Sequence, residues 1–326
     1  MRTMLSTLAA AVLSFAACLG TAQAAWPEKP VKLIVPFKAG GTSDQTGRAF
    51  QAAIKENNLL PQPVTIINVG GHYSIGSRQV KEAAPDGYTF LLIHIALMGG
   101  QGSGVLDFGY KDFEPVAATA EFCLAPMVRK DSGINSLSEL LDQAKSKPDS
   151  LIFGANLGAI NHMAGIMLQN ANPGSKFRFV QIGGGTANFT ALTGAQTNAT
   201  VLSGAEVVNF TLNPDGTASE KSQIKPLAYT GAQRHPKLPD LPTTKELGYD
   251  VEFCISSWWF APKGTPQEAV DGFATALEKA SKTSRVQEFY EKKLFADTFL
   301  KGKALQKSLD DTWNRILPVA QQAKKK

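Results

Sequence analysis

The sequence predicts an α/β protein of two lobes with a ligand cleft between them, and three observations carry that reading. Short apolar runs alternate with segments of helical period, the pattern of a parallel sheet covered on both faces. Strand-like runs open four times into a glycine-bearing turn and then a helix, two early in the chain and two later. The chain has 326 residues, more than a single core usually serves.

The first such unit organises the rest. Val31 to Phe37 is rich in large and β-branched apolar residues, and Asp44 to Asn57 has helical spacing with Phe50, Ala53 and Ile54 on one face. Gly40 and Gly41 lie between them, with the helix-capping types Thr42, Ser43 and Asp44. A strand, a tight turn and a helix start gather free N–H groups and a positive dipole end, which suits an anion. An ordinary strand-to-helix turn has the same residues, so this one turn leaves both readings open.

The remaining elements follow in order. Residues 1 to 24 join Arg2, an apolar stretch from Leu8 to Leu19 and the small-x-small end Ala22-Gln23-Ala24, which is the pattern of a secretory signal peptide. Phe15 to Cys18 resembles a lipoprotein box, but Phe is a poor first residue for one. No later segment approaches the ~20 apolar residues of a spanning helix. The expectation is an exported, soluble, periplasmic protein beginning at Ala25 or Trp26. Pro63 to Asn68 reads as a second strand before the Gly70 to Gly76 turn, with a helix to about Ala84, and Thr89 to Ile95 reads as a third. Val116 to Val128 is a further apolar run. Ser136 to Glu139 is a capping signature for a helix carrying Leu137, Leu140, Leu141 and Ala144. Leu151 to Phe153 leads into Gly154 to His162 and a helix, and Phe177 to Ile182 leads into Gly183 to Thr186 and another. Residues 225 to 230 and 251 to 260 are apolar again. Helices are expected from Gln267 to Lys282 and from about Lys303 to Ala323.

The charge balance excludes some functions. The formal charge is +5, of which the first 24 residues hold Arg2 and no acid, and Lys324 to Lys326 hold three positive charges. The remainder is nearly neutral, so no nucleic-acid partner is expected and the lysine tail reads as a frayed end. His72, His94, His162 and His235 show no paired metal spacing. His94 reads as a hydrogen-bonded, half-buried side chain, while His162 serves equally as an orienter of its turn or as a ligand contact. Asp44 reads as a helix cap, or else as a pocket residue that repels a carboxylate or binds an amine. No nucleophile elbow surrounds Ser43 or Ser203, and no glycine loop ends as a nucleotide-binding loop does. No catalytic set, cofactor or metal is therefore expected.

Several stretches resemble the substrate-binding proteins of tripartite tricarboxylate transporters, the Bug family. They are Trp26 to Pro30 with Val35 to Asp44, Ala84 to Thr89, Pro236 to Thr243, and Phe260 to Pro266, in order along almost the whole chain. The resemblance implies a type II-like periplasmic-binding-protein fold, a monomer that captures a small carboxylate for large and small membrane subunits. A ligand sensor for a membrane signalling kinase would use the same fold, and a secreted hydrolase is the rival class. The resemblance also implies lobes of 25–124 plus 253–326, and of 125–252, with the chain crossing near Cys123 and Cys254. It places a first ligand loop on Ala39, Gly40, Gly41, Thr42, Ser43 and Asp44. The partner loop falls on Gly154 to His162, including Asn156, Gly158, Ala159, Asn161 and His162. Gly184, Gly185 and Thr186 of the fourth turn join the expected site. Ala159 and Ile160 stand where the family usually has a hydroxyl and often proline. His72, Tyr73 and Trp258 are bulky where small residues are usual, and are expected to shape the distal pocket for a di-, tri- or aromatic carboxylate. The crossing strands bring Cys123 and Cys254 together, so a disulfide and two buried free thiols are both open.

Overall fold

The structure is a computed structural model that describes residues 26–324. The signal peptide, the Cys18 alternative and the last two lysines lie outside the described residues. β1 (Val31–Val35) runs between β2 (Val64–Asn68) and β3 (Thr89–Ile93), all three parallel. The helices α1 (Thr42–Glu56) and α2 (Tyr73–Lys81) follow β1 and β2, and α1 lays Phe50, Ala53 and Ile54 into the core as its spacing predicts.

A single long strand joins the two halves of the molecule. β4 (Phe113–Arg129) pairs antiparallel with β9 (Cys254–Pro262) as far as Cys123, and from Leu124 onward with β7 (Ala199–Ser203). One sheet is thus β2-β1-β3-β9-β4, with β10 (Phe295–Leu300) added to β4. The other continues from β4 through β7 to β5 (Ile152–Ala155) and β6 (Arg178–Gln181), with β8 (Ile224–Pro226) added to β4.

Thr230, fully buried, ties the crossing together. Its Oγ1 accepts from the Leu124 N–H at 2.8 Å and donates to the Phe253 carbonyl at 2.8 Å. Cys123 and Cys254 face each other at this same point, with their Cα atoms 4.0 Å apart and their sulfurs joined as a disulfide. The hinge region is therefore fastened by one side-chain hydroxyl and one covalent bond.

Four helices flank the second sheet: α4 (Leu137–Ser146), α5 (Ile160–Ala171), α6 (Gly185–Thr193) and α7 (Gly204–Thr211). Three more close the chain, α8 (Gln267–Ser281), α9 (Ser284–Lys293) and α10 (Gly302–Gln322), the last with Pro318 inside it. β7, α7 and β10 went unread in the sequence, as did two further helices whose patterns explain it. α3 (Ala96–Ser103) is buried almost all round and rich in glycine, so it shows no helical stripe. α9 buries only Val286 and Tyr290, too sparse a pattern to register as a helix.

Candidate functional site

A small cavity lies between the two sheets at the carboxyl ends of their strands, where an open α/β sheet presents its loops. Its free volume is about 40 Å³ counted over the positions a water centre can take, so it is a small space. Phe37 and Lys38 after β1, His94 after β3, Asn156 after β5, and Ser203 at the end of β7 all line it.

Four helices begin at this cavity, α1, α5, α6 and α7, and three of them lack a side-chain cap. The N-cap residues of α1, α5 and α6 are Gly41, Ala159 and Gly184, and none supplies a side-chain cap. By contrast His72, Ser136 and Ser203 cap α2, α4 and α7 with their side chains. Thr42 and Ser43, Ile160 and Asn161, and Gly185 to Ala187, the first turns of the three uncapped helices, line the cavity. Each such start offers backbone N–H groups and the positive end of a helix dipole. Gly40 and Gly158, at φ of 84° and 82°, make the turns into α1 and α5 in a conformation other residues rarely adopt.

Two side-chain groups add to these donors. Asn156 Nδ2 and Thr186 Oγ1 are buried and have no hydrogen-bond partner, although both residues line the cavity. Such orphaned groups carry a desolvation cost of about 1–3 kcal/mol unless something meets them. Asn161 is already engaged: its Oδ1 accepts from the Asn156 N–H at 2.9 Å and its amide donates to the Gly183 carbonyl.

The opposite wall is apolar. Phe37 stacks on the His94 ring with centroids 4.9 Å apart, and Phe122, Leu124, Ile160 and Val201 complete the surface. His94 Nδ1 accepts from the Ala96 N–H at 3.3 Å, which leaves Nε2 to carry the proton. Burial pushes this imidazole down to about 3, so it is neutral. It is hydrogen-bonded as expected, buried rather than half-buried, and also lines the cavity.

One acid also reaches the cavity. Glu206, 4% exposed, accepts at Oε2 from the Ser203 N–H and hydroxyl at 3.0 and 3.1 Å, and at Oε1 from the Thr42 N–H at 3.4 Å. Thr42 and Ser203 share a hydroxyl contact of 2.5 Å across the gap between the two sheets. Burial raises the Glu206 carboxyl above its ordinary value, opposed by these donors. A Cβ at Gly185 would stand 2.0 Å from Glu206 Oε1, so a larger residue there would displace the carboxyl.

Of the residues singled out in the sequence, Gly41, Thr42, Ser43, Asn156, Ala159, Asn161, Gly184, Gly185 and Thr186 meet at the cavity. Ala39 and Gly40 are exposed beside it and do not line it. Asp44 also stands outside. Its Oδ2 accepts from the Gly40 N–H at 2.8 Å and from Arg48 at 3.0 Å, and against burial, which raises it, these partners hold the carboxyl below its usual range.

The bulky group expected in a distal pocket is elsewhere. Trp258 is 2% exposed on β9, opposite Ile93 and Ala118, and packs into the core. Tyr73 is fully buried with its hydroxyl against Gly100 and Gly158. His72 caps α2 by accepting from the Ser74 N–H, and its Nε2 donates to the Leu157 carbonyl of the facing loop at 3.2 Å. His162 Nδ1 accepts from the Gly158 N–H at 3.1 Å, so it orients its own turn. Tyr73 and His72 therefore bridge the two halves beside the cavity. Their size serves that contact.

Sequence reasoning missed Phe37, Lys38, His94, Phe122, Leu124, Ala187, Val201, Ser203 and Glu206 as lining residues. One signal was available: Ser203 and Glu206 form a capping box, legible as a serine followed three residues later by a glutamate.

Two sheets joined through crossing strands, with a cavity of polar and apolar walls between them, define a two-lobed periplasmic binding protein. Residues 48–324 match the tripartite tricarboxylate transporter family receptor, and the chain belongs to that family. A relative from Agrobacterium vitis, the UPF0065 protein in the TAR-I ttuE-ttuC' intergenic region, is 31% identical over 274 residues, covering 82% of this chain and 75% of its own. Protein BugT of Bordetella pertussis is 26% identical over 277 residues, 81% of this chain and 80% of its own. Among solved structures, the periplasmic binding protein BugD superposes with a TM-score of 0.76 at 29% identity, covering 92% of this chain and 98% of its own. R. palustris Rpa4515 with adipate gives 0.76 at 25%, covering 90% and 98%. The family and these neighbours are binding proteins.

Proposed function

We propose that this protein is a periplasmic receptor, exported by residues 1–24, that captures a small carboxylate for the large and small membrane subunits of a tripartite tricarboxylate transporter. The observation that carries the reading is the convergence of three helix starts without side-chain caps on one cavity. A carboxylate there accepts from backbone N–H groups, Thr186 Oγ1 and Asn156 Nδ2, with water bridging where the reach is long. No arginine lines the cavity, and Lys38 stands exposed at its edge. Arg48 and Arg78 lie farther along α1 and α2 and add only a longer-range field. The adipate held by Rpa4515, a neighbour at 25% identity, supports the same ligand chemistry. In this reading residues 25–124 with 253–326 form one lobe and 125–252 the other, and they close by rotation about β4 and β9.

The test is a thermal-shift screen of mono-, di- and aromatic carboxylates. A ligand that binds only the native state raises its melting temperature, by about 2.7 kcal/mol of stabilisation at a hundred times Kd. Uncharged amides of the same acids should give no shift. A panel without a single stabilising carboxylate contradicts the reading.

A further inference from the structure

Glu206 is the one acid in the lining of the cavity. Every hydrogen bond it makes is from a neutral donor, Ser203 or Thr42, and among the described residues no cation pairs with it. Buried carboxylates are ordinarily paired with a positive charge, because hydrogen bonds alone leave the charge poorly compensated. Oε1 accepts from the Thr42 N–H at a long 3.4 Å, and all the donors around this carboxyl, the Thr42 hydroxyl included, are neutral. The free space is about 40 Å³ over water-centre positions, so a charged ligand group sits close to this acid. A second ligand carboxylate would there meet a like charge, and an ammonium group an opposite one. The remaining walls divide cleanly: donors at the starts of α5 and α6 with Asn156 Nδ2, and apolar surface from Phe37, Phe122, Leu124 and Val201.

We infer that Glu206 sets the ligand class of the cleft, pairing with an ammonium group borne next to the ligand carboxylate, so that the preferred ligand is an α-amino carboxylate with a small apolar side chain. The inference rests on the carboxylate reading of the same cavity. It narrows that reading from carboxylates in general to zwitterions.

Matched pairs of ligands test it by titration calorimetry: L-valine against 3-methylbutanoate, L-leucine against 4-methylpentanoate, with succinate and adipate as dicarboxylates. The wild-type protein binds the amino acids about tenfold or more tighter than their deaminated partners, the value of one charge-assisted contact. Glu206→Gln keeps the acceptor that the capping box needs and reduces this preference to about threefold or less. Tighter or equal binding of the deaminated acids or the dicarboxylates by wild type overturns the inference and leaves the carboxylate reading standing. A preference that survives in Glu206→Gln overturns it too. Absence of binding by all six compounds at millimolar concentration overturns the inference, while the carboxylate reading is decided by the full panel of mono-, di- and aromatic carboxylates. Should the variant fail to fold, the wild-type comparison decides alone.

Discussion

His94 illustrates how a residue acquires its role from neighbours that lie far away in sequence. It stands at the end of an apolar strand and reads locally as a satisfied core histidine, yet the facing lobe turns it into a cavity wall. Its titration also has a measurable consequence. The folded-state value, depressed by burial from 6.5 to about 3, means the native protein resists taking the proton that the unfolded chain accepts. The stabilisation is present in full above pH 6.5 and is lost as pH falls from there towards 3. The melting temperature of wild type should therefore fall more steeply between pH 7 and 4.5 than that of His94→Gln. Parallel curves would show that the ring protonates freely. Glu206 was missed for a related reason: its capping box is a local signal, but its contact with Thr42 joins positions 164 residues apart.

At the scale of elements, the strand–turn–helix units were the legible part, because apolar runs, glycine turns and amphipathic helices are local patterns. The cleft loops after β1, β5 and β6 were found that way. What could not be read was how α3 meets them. Gly99 of α3 lies so close to the loop before α5 that a Cβ would come within 2.1 Å of the Gly158 carbonyl, and Tyr73 fills the space beside it. Gly99→Ala should hold the lobes apart, lowering ligand affinity about tenfold and enlarging the radius of gyration in solution scattering, at a stability cost of about 1–3 kcal/mol. An unchanged scattering profile with normal affinity would mean that the contact yields easily. Ser203→Ala removes both the cap of α7 and the hydroxyl contact with Thr42. Denaturant unfolding should show a loss of about 0.5–2 kcal/mol. A change within experimental error would assign the cap to Glu206 alone.

For the whole molecule, the lobes are organised by one 17-residue strand, β4, whose two ends belong to different sheets. Periodicity showed its apolar run but not the division at Cys123, since pairing partners 131 residues apart leave no local trace; only the family resemblance placed the crossing there. The disulfide between Cys123 and Cys254 closes that long loop, so the double variant Cys123→Ala, Cys254→Ala should lose about 2–5 kcal/mol of stability. Equal unfolding midpoints for the two proteins would place the two thiols apart in the native state. The central claim, that a ligand carboxylate rests on the starts of α1, α5 and α6, is tested most directly by backbone amide NMR on titration with a stabilising carboxylate. The largest shifts should fall on Ser43, Ile160, Asn161, Gly185 and Thr186. A saturable titration that leaves these five amides in place would contradict it.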